Sequence, residues 1–409
     1  MSAVQGGGTE AGKPLPLAGI KVVDMATVVA GPAAARYLAD FGAEVVKVEA
    51  PTGDPTRRMG WRPPDGGDSY VWKILGRNKQ CVTLDLKSDR GHAEMLSLVD
   101  AADVVIENLR PGTLERLHLD PEGLIARNPK LVVLRVTGFG QDGPYANRPG
   151  FATLAEALSG YAAISGEPDG PPLLPPIAIT DEITGIVGAF SVMVALWHAR
   201  DSGEGQVVDV NLLETLLQMM GPLVSAYAHL GYEQPRLGSG LPWTVPRGIY
   251  CCADGRWVAL SASADAAASR LLHALRLESD PRYSTSQGRF ENREELERYV
   301  QEWMRERNFG DVISTLLDVD VAVAPVYTMA DVFADPHVAA RQTLVEVDGV
   351  VMPGVIARLS RTPGLVRHAG RAQSADQTAV LRHPVHENDR GAVSVAREVA
   401  QDGRHAPEG

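Results

Sequence analysis

The sequence predicts an α/β chain, with a Rossmann-like large domain followed by a smaller α+β domain. Three observations carry this. Short β-rich runs alternate with helical stretches up to Val210, a pattern that builds a parallel sheet covered on both faces. At 409 residues the chain is long enough for two or three domain-sized units. Around residues 232–247 the composition turns to Pro, Gly and Arg, and a hairpin signal follows it.

The first β run is Ile20 to Met25. Gly31-Pro32 then reads as a helix start with Pro in the first helical position, and the helix Ala33 to Phe41 stops at Gly42. Glu44 to Glu49 is a second strand, which completes a β-α-β unit. The alternation continues with Val82-Thr83-Leu84, a helix over Gly91 to Val99, a strand at Asp103 to Ile106, another helical stretch, and a strand at Leu131 to Val136. From Asp181 to Arg200 runs a long apolar helix, in which Ile183, Ile186, Val187, Phe190, Met193, Val194 and Trp197 recur at helical spacing. A strand at Val207 to Val210 and a helix from Leu212 to Leu223 follow. Arg247 to Ser261 reads as two strands joined at Ala253-Asp254-Gly255, where Asp-Gly is a strong turn signal. Helices near 264–276 and 291–307 complete the smaller lobe, and the stretch from Ala330 onward reads as irregular.

These elements set the expected boundaries. Residues 1–15 form a flexible leader, 16–225 the large domain, 226–246 a linker and 247–329 the small domain. Residues 330–387 return to the large domain, and 388–409 form a polar tail.

Composition narrows the function classes. Acidic residues outnumber basic ones 51 to 39, a net charge of −12, which argues against nucleic acid or an anionic membrane as partner. No apolar run approaches about 18 residues free of charge, so no membrane span is expected. Only Cys81, Cys251 and Cys252 are present, so the chain reads as cytoplasmic and free of disulfides.

Most chemical motifs fail on context. Gly138-Phe139-Gly140-Gln141-Asp142-Gly143 matches a dinucleotide fingerprint, but Pro144 follows at once and Pro149-Gly150 soon after, so a turn-rich loop is expected there. No metal site is expected, since His383 and His386 are the one His pair near ligand spacing. Gly76-Arg77-Asn78-Lys79 and Glu107-Asn108-Leu109-Arg110-Pro111-Gly112, with Arg116 a turn further on, place basic residues in loops flanking strands. Loops at the carboxyl ends of parallel strands bind ligands, and Arg, Lys and Asn there suit phosphates; ordinary surface charge is the alternative. Asp181 heads the apolar helix, with Gly185 and Gly188 in its first turns. Such an Asp serves either as a helix cap or as an ionised carboxylate able to attack a thioester carbonyl.

Taken in order, these segments resemble the family III CoA-transferases, from about Leu17 to His386. The resemblance lies in Leu17 to Asp24, Ala30-Gly31-Pro32, Leu38 to Glu49, Gly53-Asp54-Pro55-Thr56-Arg57 and Asn78-Lys79. It continues in Glu107 to Gly112, Gly138 to Pro144, Gly166 to Gly170, Thr180 to Gly185, Ala324-Pro325-Val326 and Asp335-Pro336-His337. It implies an interlocked homodimer, and a reaction in which Asp181 takes the acyl group of an acyl-CoA before CoA passes to a carboxylic acid. It implies a CoA site at Val28, Val29, Ala30, Arg77, Lys79, Asn108, Leu109, Arg110, Arg116 and Thr137. A glycine loop over the active site is matched to Gly238-Ser239-Gly240. CoA is a substrate in this scheme, and no permanently bound cofactor is implied.

Departures bear on the substrate. Formyl-CoA transferases carry Gln where this chain has Val29, and Arg where it has Ala50-Pro51, so formyl/oxalate chemistry is not expected. Elsewhere the family often has Asp and Gln-Ala after Pro-Gly-Phe; here Ala152 and Glu156-Ala157 stand instead. The related α-methylacyl-CoA racemases use a His shortly after the Gly-Pro loop. This chain reads Pro149-Gly150-Phe151 there and has no His between His118 and His198. Racemisation at an acyl-CoA α-carbon and non-catalytic acyl-CoA binding remain the alternatives.

Overall fold

The computed structural model describes residues 15–64, 66–262 and 264–381. Almost all of the expected leader, the polar tail and the His383/His386 pair lie outside the described residues.

Six strands form one parallel sheet: β1 (Lys21–Asp24), β2 (Glu44–Glu49), β3 (Lys79–Thr83), β4 (Val104–Glu107), β5 (Val132–Thr137) and β6 (Val207–Asn211). Their spatial order is β3-β2-β1-β4-β5-β6. Every pairing is parallel, and the register sets Asp24 beside Lys47 and Glu107 beside Arg135. The strands are Val-rich because both sheet faces are covered. On one face Val23, Val48, Val82, Val105 and Val133 pack with Met95 and Val99 of the helix Asp89–Ala101.

α1 (Ala30–Asp40) and the long helix Ile179–Ser202 pack together on the sheet. α1 begins earlier than expected, with Pro32 third rather than first, because Val29 already stands in the cap position. The contact between these helices needs small residues. A Cβ on Gly185 would lie 2.7 Å from Ala33 Cβ and 3.0 Å from Ala30 O, and one on Gly188 would lie 3.1 Å from Leu134 Cδ2.

Gly185, Gly188, Val192, Ala195 and Ala199 are all buried and form one stripe of the long helix. Ile186, Phe190, Met193, Val194 and Trp197 lie on the opposite face and are exposed. The expectation of no membrane span is therefore qualified: by length and composition this one helix would suffice to cross a bilayer, although its inner stripe is packed on α1 and the sheet.

Two compact units divide the chain. Of the described residues, those in 15–152, 178–215 and 342–381 form one, and those in 153–177 and 216–341 the other. Residues 153–177, which the sequence groups with the large domain, pack with the second unit. The stretch that read as irregular holds a hairpin, β10 (Leu344–Val347) with β11 (Val350–Pro353), in the first unit. Beyond it, the Asp376 carboxylate accepts from Cys81 N–H (2.9 Å) and the Gln377 side chain accepts from Thr83 N–H (2.7 Å), so the free edge of β3 is covered.

In the second unit β7 (Arg247–Cys251), β8 (Trp257–Ser261) and β9 (Ala322–Pro325) form an antiparallel sheet. It packs on the helices Asp265–Ala274, Arg293–Arg305 and Phe309–Asp318 around Val258, Leu271, Val300, Met304 and Leu316. The expected helix 212–223 is two helices, Leu212–Met219 and Leu223–Leu230, separated at Gly221-Pro222.

Candidate active site

In a parallel sheet of this order the chain reverses direction between β1 and β4, and the crevice outside their carboxyl ends is where ligands bind. The residues that follow β1 and β4 are tied to each other there. Thr27 N–H donates to Asn108 Oδ1 at 2.7 Å, and Asn108 Nδ2 donates to Thr27 O at 2.6 Å. Between that tie and α1, Val28 sits at φ 66°. A β-branched residue in the left-handed region is strained, and such strain collects at functional sites.

Two buried lysines hold this loop from beneath. Lys47 donates to Ala26 O and faces Asp24 (3.8 Å) and Asp54 (3.2 Å). Lys79 donates to Asp24 (2.8 Å) and to Pro32 O (2.7 Å). Burial pulls the Lys47 ammonium down, but Asp24, Asp54 and Glu49 outweigh it and hold Lys47 above the usual lysine range. For Lys79 burial wins, and its ammonium is held below that range. The two lysines fasten the chain on either side of Val28–Ala30, Lys47 at Ala26 O and Lys79 at Pro32 O.

This corrects two sequence assignments. Lys79 is 1% exposed and its ammonium is turned inward onto Asp24 and Pro32 O, so burial keeps it from a ligand. Arg77 is equally enclosed: it pairs with Asp40 through Nε (3.1 Å) and Nη2 (2.6 Å), and also donates to Pro353 O and Gly354 O. It fastens the 342–381 segment to α1. Asn108 does sit at the crevice, but its amide is consumed by Thr27.

The remaining expected residues lie along the carboxyl edge of the sheet. Leu109 N–H donates to Glu107 Oε2 (2.7 Å), and burial raises the Glu107 carboxyl even though Arg135 (2.6 Å) opposes the shift. Arg110 is exposed on the same loop, and Arg116, also exposed, donates to Thr113 Oγ1 at 2.8 Å. Thr137, the last residue of β5, accepts from Gly140 N–H at 2.8 Å. The glycine motif after it opens no helix, as expected.

Asp181 belongs to the same unit. It does not start its helix: Ala178 occupies the cap position, Ile179 is first and Asp181 is third. Its spacing from Gly185 and Gly188 makes it the first member of the inner stripe. Gly185, one turn further on, touches the Ala30 carbonyl and Ala33, so the first turns of the long helix run beside those of α1. Asp181 itself is half-buried. A carboxylate in a first helical turn is favoured in its ionised form.

Sequence reasoning missed Arg36, Tyr37 and Glu182. Arg36 Nη2 donates to Glu182 Oε2 at 2.8 Å, and Tyr37 Oη donates to the same oxygen at 2.7 Å. The Arg36 guanidinium also stacks 4.3 Å over the Tyr37 ring. A signal was present, because an arginine inside an alanine-rich helix needs a carboxylate partner to be buried. Gly238 and Gly240 belong to the second unit. There Gly238 N–H donates to Gly166 O at 3.0 Å, and Gly238-Ser239 line a cleft of about 620 Å³ with Arg247, which donates to Ser239 O at 2.6 Å.

The family model of CoA-transferase family III matches residues 17–371. The chain belongs to that family. A succinyl-CoA–D-citramalate CoA-transferase of Chloroflexus aurantiacus is 40% identical over 369 residues, 88% of this chain and 91% of that protein. A succinate–glutarate CoA-transferase of Agrobacterium fabrum is 37% identical, covering 85% of this chain and 88% of that one. The crystal structure of a CaiB/BaiF family protein from Brucella suis superposes with a TM-score of 0.81 at 30% identity, over 91% of this chain and all of that one. This family III chain is a CoA-transferase, an enzyme that acts on CoA thioesters. Its six-stranded parallel sheet is that of its CaiB/BaiF neighbours.

Proposed function

We propose that this transferase moves CoA between short dicarboxylic acids through a covalent intermediate on Asp181. The observation that carries it is placement: a half-buried carboxylate opens a stripe that is otherwise small and apolar, beside the strained Val28–Ala30 loop. The acids are inferred from relatives whose names pair succinyl-CoA with citramalate and succinate with glutarate.

In the first step an Asp181 oxygen attacks the thioester carbonyl, the C–S bond breaks, and CoA leaves as thiolate. The resulting mixed anhydride is attacked by that thiolate at the aspartyl carbonyl. This releases the donor acid and leaves an aspartyl-CoA thioester. The acceptor carboxylate displaces CoA to give a second anhydride. CoA thiolate then attacks the acceptor's acyl carbon, which frees Asp181 and completes the transfer. Val28, Val29 and Ala30 border the reacting end with backbone N–H groups that suit a developing oxyanion. Arg110 and Arg116 supply the exposed cations for CoA phosphates, with Asn108, Leu109 and Thr137 shaping the loops between.

The second part of the proposal is a homodimer whose protomers interlock. It is supported by the exposed Ile186, Phe190, Met193, Val194 and Trp197 face, since a helix apolar all round is normally covered on all sides. The decisive experiment traps the intermediate. Incubation with succinyl-CoA and hydroxylamine, followed by peptide mass spectrometry, is expected to convert Asp181 to its hydroxamate. Asp181→Asn is expected to lose turnover and trapping together. Turnover with an unmodified Asp181, or α-proton exchange without any acid acceptor, would sink the proposal.

A further inference from the structure

Resting on the reading of Asp181 as nucleophile, we infer that Glu182, held by Arg36 and Tyr37, is the positioning residue that fixes the rotation of the first helical turn and so aims the Asp181 carboxylate. The two acidic residues are neighbours in sequence but lie about 100° apart around the helix. Asp181 continues the stripe of Gly185 and Gly188, whereas Glu182 sits at its border and reaches α1. Gly185 closes the helix pair to backbone contact one turn away, which sets the separation of the helices and the face turned to α1 from there on; the turn ahead of it, which carries Asp181 and has no side-chain cap, lies beyond that contact. The Glu182 oxygen that accepts from both Arg36 (2.8 Å) and Tyr37 (2.7 Å) ties that turn to α1.

The anchor on α1 is rigid. Arg36 is 7% exposed, and its guanidinium is stacked on the Tyr37 ring. Among the described residues its Nε has no hydrogen-bond partner, and Glu182 is its ion-pair partner at 2.8 Å. α1 is in turn fixed at both ends, because Lys79 holds Pro32 O and Arg77 holds Asp40. The lattice of buried charges beneath the sheet end thereby continues through Glu182 to the residue before it. Reactions that need near-attack geometry lose about a hundredfold in rate for a displacement on the order of 1 Å.

The test uses the full chain with Glu182→Ala, Glu182→Gln and Tyr37→Phe, with Asp181→Asn alongside. The readouts are kcat and KM for succinyl-CoA with a dicarboxylic acid, the rate of hydroxylamine trapping at Asp181, and the thermal midpoint. For Glu182→Ala a kcat loss of about ten- to a hundredfold is expected, with KM for the thioester within about threefold and trapping slowed by the same factor as kcat. Gln keeps an acceptor oxygen for both donors and is expected to restore most of kcat. Phe at position 37 is expected to show a smaller loss in the same pattern. The inference is overturned if Glu182→Ala keeps kcat within twofold of the parent, or if Gln is as inactive as Ala, which would make Glu182 a proton carrier. If the alanine variant does not fold, an unchanged kcat in Tyr37→Phe overturns it equally. Full activity of Asp181→Asn would instead remove the nucleophile reading itself, so the two failures are separable.

Discussion

At the scale of single residues, burial decides what a charged side chain is free to do. Lys79 looked like a phosphate ligand in the sequence and is a strut in the structure, because 1% exposure leaves Asp24 and Pro32 as its partners. Lys79→Met takes the 2.8 Å partner from buried Asp24 and leaves it Lys47 at 3.8 Å, so it should cost about 3 kcal/mol, a loss read as a fall in thermal midpoint. Arg110 is exposed on the loop after β4, so Arg110→Gln should leave stability unchanged and raise KM for the CoA thioester about tenfold, more at low salt. Cys81 offers a chemical check on the same point. Burial, reinforced by Glu49, pushes its thiol up to about 12, so it should resist alkylation at pH 8 until the chain is unfolded. Sequence type alone does not separate Lys79 from Arg110: both are basic residues near a strand, and the difference appears only in the fold, where Lys79 is buried on Asp24 and Pro32 O and Arg110 stands exposed.

At the scale of elements, most strands and long helices were legible. Val-rich runs gave β2, β4 and β5 within a residue or two, and Asp-Gly placed the turn between β7 and β8. Helix starts were less legible. Pro32 suggested the first position of α1 and is third, and Asp181 suggested the start of the long helix and is also third, because an uncapped Val29 and Ala178 precede those turns. Short elements such as β10 and β11 escaped notice, since four residues carry too little periodicity. The glycines of the helix pair give a sharp test. Gly185→Ala drives a methyl into Ala33 and the Ala30 carbonyl and should cost about 1–3 kcal/mol, with lower turnover. Gly188→Ala meets the end of the Leu134 side chain, which can rotate, and Ala34 Cβ at an ordinary 3.4 Å, and should cost less.

At the scale of the whole molecule, buried charge and exposed apolar surface set how the protein responds to its surroundings. Burial pushes the Asp54 carboxyl up, but Lys47 and the hydrogen bonds from Thr56 outweigh it and hold Asp54 below the usual aspartate range. Its contribution is thus complete above the unfolded-state pKa, about pH 4, and is lost as pH falls through the lower folded-state value. Asp54→Asn should flatten the acid limb of the thermal midpoint against pH. If the proposed dimer buries the outer face of the long helix, Phe190→Glu or Trp197→Glu is expected to lower the mass measured by light scattering from that of two chains toward that of one. An unchanged mass would mean that this face is covered by something else. The parallel sheet and its crevice followed from the alternation of strands and helices; the placing of residues 153–177 and 330–341 in the second unit did not, because those stretches carry no marker of which body they join.

The covered edge of β3 has a consequence for biosynthesis. The backbone donors of Cys81 and Thr83 find their acceptors 295 and 294 residues later in the chain. A ribosome releases β3 long before Asp376 and Gln377 emerge, so the nascent sheet waits with an open, pairing-competent rim through most of translation. A chain stopped at residue 341 should accordingly accumulate in inclusion bodies, and supplying residues 342–381 in trans should recover soluble protein.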